Sequence, residues 1–399
     1  MRMKNAIAFP KNMTLGAIDD LELIEEVGFE IGRQARRVGI HMNLAPVADV
    51  NSNPKNPIIG MRSFGEDPMR VALHVEAMSR GMQKARVLAC VKHFPGHGDT
   101  DVDSHWDLPL ISHSLTHLNE IEWPPFQRAI EEGVAAVMSA HLLLPSIDDI
   151  PTSLSKSCHD VLRNELGFQG LVITDALNMR ALSKRFTPEE IAVKAKKAGA
   201  DLLLYGDHKG PNVDEIMRES VPRAFFALKG AYETGELSIQ ELDESVLRIL
   251  EAKEGIQREI ELENVMSSLH SQEAYALKKR LFQEAITLIG EDCFPIPEEA
   301  TYFHFGEGDV LEKEFPGGDS DFIVAAIHGN AGLTEEALST IHSIKEHVIV
   351  VLFSSPYDLK KLEGVRSILL AFEADEDAQY GVLNILKGNA PAKGHLPIR

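Results

Sequence analysis

Short, nearly continuous apolar runs recur along the first half of the chain, at residues 40–50 (IHMNLAPVADV), 87–94 (VLACVKHF), 135–144 (AAVMSAHLLL), 170–177 (GLVITDAL) and 201–206 (DLLLYG). Between and around them lie stretches with helical spacing of apolar positions, at 25–39, 125–133, 188–199 and 212–235. Strand–helix alternation at this spacing predicts a parallel sheet, because parallel neighbours require a crossover connection. Runs that are apolar at successive positions, rather than at every second one, are those of strands covered on both faces.

The rhythm changes after a helical run at 236–262. From about residue 263 a second segment offers strands at 285–290, 321–328, 347–355 and 367–373, with a helix at 335–346. The expected division is therefore a parallel α/β domain over residues 1–255, a linker at 256–275 and a smaller α/β sandwich domain at 276–399. Residues 308–321 read as a surface loop, and no fixed-period repeat or low-complexity tract is evident.

Charge narrows the partners. Lys and Arg number 40 against 61 Asp and Glu, a net charge of −21 over 399 residues. So acidic a chain repels nucleic acid and anionic membrane, and neither is an expected partner. No apolar run approaches the roughly 18–20 residues of a membrane span, so no membrane insertion is expected. The first residues, MRMKNAIAFPKNMTLG, lack the continuous apolar region of a signal peptide. Three scattered cysteines are too few for a disulfide scaffold, and Cys90 and Cys158 read as small buried hydrophobes.

Ionisable residues gather where the apolar runs end: Asp49 and Asn51, then Lys92, His93 and His97, then His141, then Asp175. Parallel α/β folds bind ligands at the carboxyl ends of their strands. The densest cluster is KHFPGHGDTDVDSH at 92–105, a loop with one Lys, three His, three Asp and two Gly. Such a loop suits delivery of acid and base groups to a substrate. A metal site on His93, His97, Asp103 and His105 is the rival, but turns separate these residues and no HxH or HExxH pattern supports them, so no metal or cofactor is expected. Asp175 alone reads equally well as a helix N-cap before ALNMRAL.

The loop KHFPGHGDT followed by DSH resembles the signature of glycoside hydrolase family 3, in its bacterial β-N-acetylglucosaminidase branch. NLAPVADVNSNPKNPIIGMRSFGEDP (43–68), VMSAHLLLPSID (137–148) and LSKSCHDVLRNELGFQGLVITDALNM (154–179) are similar to that family in the same order. The resemblance implies a TIM-type (β/α)8 barrel followed by the smaller domain. It implies a retaining exo-β-N-acetylhexosaminidase acting on cell-wall or chitin-type oligosaccharides, with Asp175 as nucleophile. His105 matches the acid/base of this branch, with Asp103 as its partner. Arg62, Lys92 and His93 match sugar-hydroxyl contacts, and Arg2 matches the last residue of an upstream acidic motif whose Asp is absent. Asp49 and Asn51 stand between sugar contacts and structural turn residues, and His97 and Asp99 read as loop-shaping hydrogen bonders.

The family begins with two further β/α units, so the barrel is expected to lack about 60–80 residues. The compartment expected is cytoplasmic, or periplasmic or secreted if a signal peptide lies upstream of Met1. Peptidoglycan recycling in a bacterium is the implied setting, and oligomeric state is left open. Three alternatives stand beside the hydrolase: a phosphorylase, in which phosphate replaces water; an inactive glycan-binding remnant; and, more distantly, a zinc hydrolase.

Overall fold

The computed structural model describes residues 3, 5–101, 107–206, 213–256, 264–306, 310–315 and 322–399. It divides into two compact units, one of Glu25–Ser63 with Asp67–Val265, the other of Met1–Ile24, Phe64–Glu66 and Met266–Arg399. The first 24 residues thus group with the C-terminal half.

The larger unit is built on a parallel sheet in the order β1 (Met42–Asn43), β2 (Leu88–Phe94), β3 (Ala136–Ser139) and β4 (Leu171–Thr174). Among the described residues these strands form no closed barrel. The run at 40–50 yields only a two-residue strand, because Pro46 has no N–H to give a ladder. The chain nevertheless stays beside β2: Cys90 N donates to Ala45 O (3.0 Å), Ala48 N donates to Lys92 O (2.6 Å) and Val47 bridges Lys92. At 201–206 the expected strand contracts to one bridge, Leu202 with Ile173. Leu177 N still donates to Leu204 O (2.9 Å) alongside β4.

Both faces of the sheet are covered, as the unbroken apolar runs require. Cys90, Met138, Leu171 and Ile173 pack together, and Ala89, Val91, Val137 and Val172 are equally buried. Helix Pro68–Lys84 links β1 to β2. Asp67 starts it by accepting from Met69 N (3.0 Å) and Arg70 N (2.9 Å), ahead of a proline at its first turn, and its Val71, Val75, Met78 and Met82 are buried. Helix Pro188–Ala198 carries a full capping box from Thr187 and Glu190 and ends on the left-handed Gly199.

The other unit holds a five-stranded sheet, in the order β5 (Thr287–Gly290), β9 (Ser367–Leu370), β8 (Val348–Phe353), β7 (Ile323–His328) and β6 (Thr301–Phe305). Only the β5–β9 pair is antiparallel. β6, absent from the expected strands, is an edge strand whose residues are all half-buried, so its apolar signal is diluted. The N-terminal segment is tied into this unit by Glu373, which accepts from Lys11 N (2.8 Å) and Thr14 Oγ1 (2.6 Å).

Candidate active site

The carboxyl ends of β2, β3 and β4 bring the site together. Parallel register aligns Lys92 with Met138 and Ser139 with Thr174, so the residues that follow each strand emerge at one level. Asp175 N donates to Ser139 O at 2.9 Å, extending the ladder by one residue and fixing the start of the Asp175 side chain. No helix begins at this point: the next, Arg180–Ser183, is preceded by Met179. Among the described residues the Asp175 carboxylate accepts only from Ala176 N next door, at 2.8 Å, so it is not a helix cap. Burial acts to raise its pKa, but the fields of His93 and His141, the Ala176 N–H and Lys92 outweigh it and bring it down to about 2. Asp175 is therefore an anion throughout the physiological range.

Asp49 is the anchor of this region. It is fully buried and accepts three hydrogen bonds: His93 N (3.0 Å), His93 Nδ1 (2.7 Å) and His97 N (2.8 Å). Burial raises its pKa, yet His93 and His97 lower it further, and it stays ionised. Its role is thus neither turn residue nor open contact but internal hydrogen-bond acceptor for a histidine. On the far side of that ring, Arg62 Nη2 lies 3.4 Å from His93 Nε2. A guanidinium can only donate, so Nε2 holds the lone pair and Nδ1 the proton that goes to Asp49. Burial, ahead of the opposing pull of Asp49, lowers the pKa of His93 and keeps the ring neutral at pH 7.

Arg62 closes the short turn Gly60–Arg62, where its Nη1 donates to Ile58 O (3.1 Å). Lys92 is half-buried, and burial followed by the Arg62 charge lowers its pKa. Lys92, His93, Arg62 and Asp175 are therefore one electrostatic cluster. Arg2, Asp103 and His105 lie outside the described residues.

Loop 95–101 is held from below. Asn56, buried, donates from Nδ2 to His97 O (2.8 Å) and Gly98 O (2.9 Å), while its Oδ1 accepts from Ile58 N and Ile59 N, both at 2.9 Å. Gly98 has no room for a side chain: a Cβ would lie 1.6 Å from Val50 O. His97 Nδ1 sits 2.8 Å from Thr100 Oγ1, and burial drives its pKa to about 4. Nδ1 of both His93 and His97 is engaged inside the fold, and Asp103 and His105, the other members of the sequence-based metal set, lie outside the described residues.

Further along, His141 lies between Ser153 Oγ (2.7 Å, Nδ1) and Ala176 O (3.0 Å, Nε2), so it braces the segment that carries Asp175. His159 Nε2 meets Ser139 Oγ at 3.0 Å, and burial lowers its pKa to about 4. Glu122 is 1% exposed with neither carboxylate oxygen hydrogen-bonded, and burial, then Asp49 and Asp99, push its pKa well above the carboxylate range. Asn56, His159 and Glu122 carry no sequence signal of their own. They matter through contacts with residues 20–42 positions away or through isolation from water.

The family model for the glycosyl hydrolase family 3 N-terminal domain, a TIM-barrel-like α/β fold, matches residues 1–252. The chain belongs to glycosyl hydrolase family 3. This family 3 chain is 33% identical over 320 residues to a β-hexosaminidase A of Pseudoalteromonas piscicida, covering 75% of this chain and 53% of that protein. It is 33% identical over 251 residues to a β-hexosaminidase of Mycobacterium bovis, covering 61% of this chain and 62% of that one. The chain thus spans roughly half to three-fifths of these relatives. Among solved structures it resembles a family 3 β-N-acetylglucosaminidase from Paenibacillus sp. strain FPU-7, with a TM-score of 0.82 and 31% identity, covering 100% of this chain and 83% of that one. Among the described residues, no helix is long and apolar enough to cross a membrane.

Proposed function

We propose that this family 3 chain is an exo-acting, retaining β-N-acetylhexosaminidase that releases terminal N-acetylglucosamine from cell-wall or chitin-type oligosaccharides. The observation that carries the proposal is Asp175: an ionised carboxylate at the end of β4, held by one neighbouring N–H and beside Lys92 and His93. The names of the relatives, β-hexosaminidases and a β-N-acetylglucosaminidase, support the choice of sugar.

In this reading the Asp175 carboxylate attacks the anomeric carbon and the bond to the leaving oxygen breaks, while His105 delivers a proton to that oxygen. Water then attacks the same carbon, gives its proton to His105 and releases Asp175. Asp103 orients the imidazole and steadies its cation. Arg62, Lys92, His93 and Arg2 are assigned to sugar hydroxyls. The Arg62–His93–Asp49 chain supports this, because it sets the guanidinium beside the ring of His93 at the carboxyl end of β2.

The test is turnover of an aryl N-acetyl-β-glucosaminide by the full chain and by Asp175→Asn. Loss of turnover in a variant with an unchanged melting curve supports the reading. Undiminished turnover overturns it. Repeating the wild-type reaction in phosphate buffer distinguishes a free sugar product from a sugar 1-phosphate, and thus hydrolase from phosphorylase.

A further inference from the structure

We infer that His113, His117 and Glu122, with Asp99 beside His113, form a site for a zinc-class divalent transition metal that fastens loop 95–101 to the segment 113–122. The inference rests on residues separate from those assigned to the sugar.

The three side chains each offer a ligand atom, and these atoms lie within 4.8 Å of one another. The imidazoles of His113 and His117 stack at 3.7 Å between ring centroids, inclined by 20°. Asp99 Oδ2 is 2.8 Å from His113 Nε2, but at an angle that makes no hydrogen bond, and His117 Nε2 has no hydrogen-bond partner either. Beneath them is Glu122, 1% exposed, with both oxygens unpartnered. A buried carboxyl group without a single donor stays protonated unless a cation is present to offset the several kcal/mol that its charge would cost. Two imidazoles and one carboxylate, with a fourth position open to Asp99 or water, are a donor set that tetrahedral zinc takes. Ligand atoms on zinc sit about 3.3 Å apart, so the atoms of His113, His117 and Glu122 must close up by about 1.5 Å at most, while the two rings must turn out of their parallel stack for both lone pairs to meet one ion. His113 and Asp99 are part-exposed, which leaves a path for entry and freedom to adjust.

Local backbone explains how these residues converge. His113 precedes Ser114, the extended N-cap of the short helix Leu115–His117, and the chain turn there lays its ring on that of His117. Glu122 is five further on, which at 3.6 residues per turn would carry it about 140° away. Instead Leu118–Glu122 is a π-helical turn, with Trp123 N donating to Leu118 O at 2.8 Å, and the wider turn brings Glu122 back beneath His117. From the other side, Gly96 lets the loop close over the carboxylate: at its φ of +129°, a Cβ would fall 2.4 Å from Glu122 Oε2. A bound cation would therefore join the strand-end loop that carries His97 and Asp99 to the turn after Ser114.

The test is zinc binding by the full chain. Metal-stripped protein is equilibrated with zinc, passed over a desalting column and analysed for metal, and cobalt(II) is used in parallel for its tetrahedral d–d absorption. The expected result is one equivalent retained, the cobalt band present, and a higher melting midpoint with zinc than without. His117→Ala is expected to abolish retention, and the isosteric Glu122→Gln to weaken it at least tenfold. Should His117→Ala misfold, Glu122→Gln and His117→Gln decide. Retention of less than half an equivalent by the wild type overturns the site, as does retention unchanged in the folded variants.

Discussion

Replacing Asp49 with Asn removes one charge and reverses one donor while keeping the shape of the side chain. In the native protein Asp49 accepts from His93 N, His97 N and His93 Nδ1 at 3.0, 2.8 and 2.7 Å. The amide oxygen of Asn can still take the two backbone N–H groups, which directs its NH₂ at Nδ1–H of His93, donor against donor. The ring can escape by moving its proton to Nε2, but that atom faces the Arg62 guanidinium at 3.4 Å, another donor. Either tautomer strands one buried donor, worth about 1–3 kcal/mol, and the loss of charge assistance brings the expected cost to about 2–3 kcal/mol. For a unit of this size that lowers the melting midpoint by roughly 4–12 °C. If the same energy is lost in the transition state, kcat/KM falls by about 30–150-fold. Thermal melts followed by circular dichroism, with turnover of an aryl N-acetylglucosaminide, read both quantities. A melt within about 1 °C of wild type would refute the assignment of Asp49 as the acceptor that sets the His93 tautomer.

Three further outcomes are expected. His105→Ala should slow poor leaving groups by about 10²–10⁴-fold and activated aryl glycosides far less, measured as a leaving-group series; equal losses would make His105 structural. Gly98→Ala should be severely destabilising, because a Cβ 1.6 Å from Val50 O forces the loop backbone to move, and a melt like that of wild type would contradict the packing at that point. His159 has a native pKa of about 4 against 6.5 when free, so below pH 6.5 the unfolded chain binds the extra proton. Its contribution to stability is complete above pH 6.5 and is lost towards pH 4 at about 1.4 kcal/mol per pH unit. The stability difference between wild type and His159→Gln should change over that window, and a constant difference would show that the ring is free to ionise in the fold.

What the sequence made legible was largely what chain-local pattern encodes. The apolar runs at 87–94, 135–144 and 170–177 each contain an observed strand, because burial on both faces needs unbroken hydrophobicity. The run at 201–206 has the same composition but reduces to one bridge at Leu202. Its first residue, Asp201, is occupied as a buried acceptor for Val172 N (2.9 Å), Arg163 (2.8 Å) and Arg248 (2.9 Å). The positions of Asp175 and His93 at strand ends were legible from the apolar runs that precede them, and strand ends are where parallel folds place ligands. Asp49 was ambiguous because an Asp after a strand carries the same signal whether it shapes a turn or anchors a distant histidine. Its partners are 44 and 48 residues away. Asn56 and Glu122 were silent for the same reason, since their significance arises only when loop 95–101 folds over them.

The central claim, that Asp175 is the nucleophile of a retaining glycosidase, is tested most directly by trapping the covalent intermediate. The full chain is incubated with an activated 5-fluoro-N-acetylglucosaminyl fluoride, then analysed by intact mass and peptide mapping. The account predicts a mass increase of one fluorosugar per chain, carried by the peptide containing Asp175 and absent from Asp175→Asn. A label on another residue, or no label from a preparation that turns over its substrate, would contradict it.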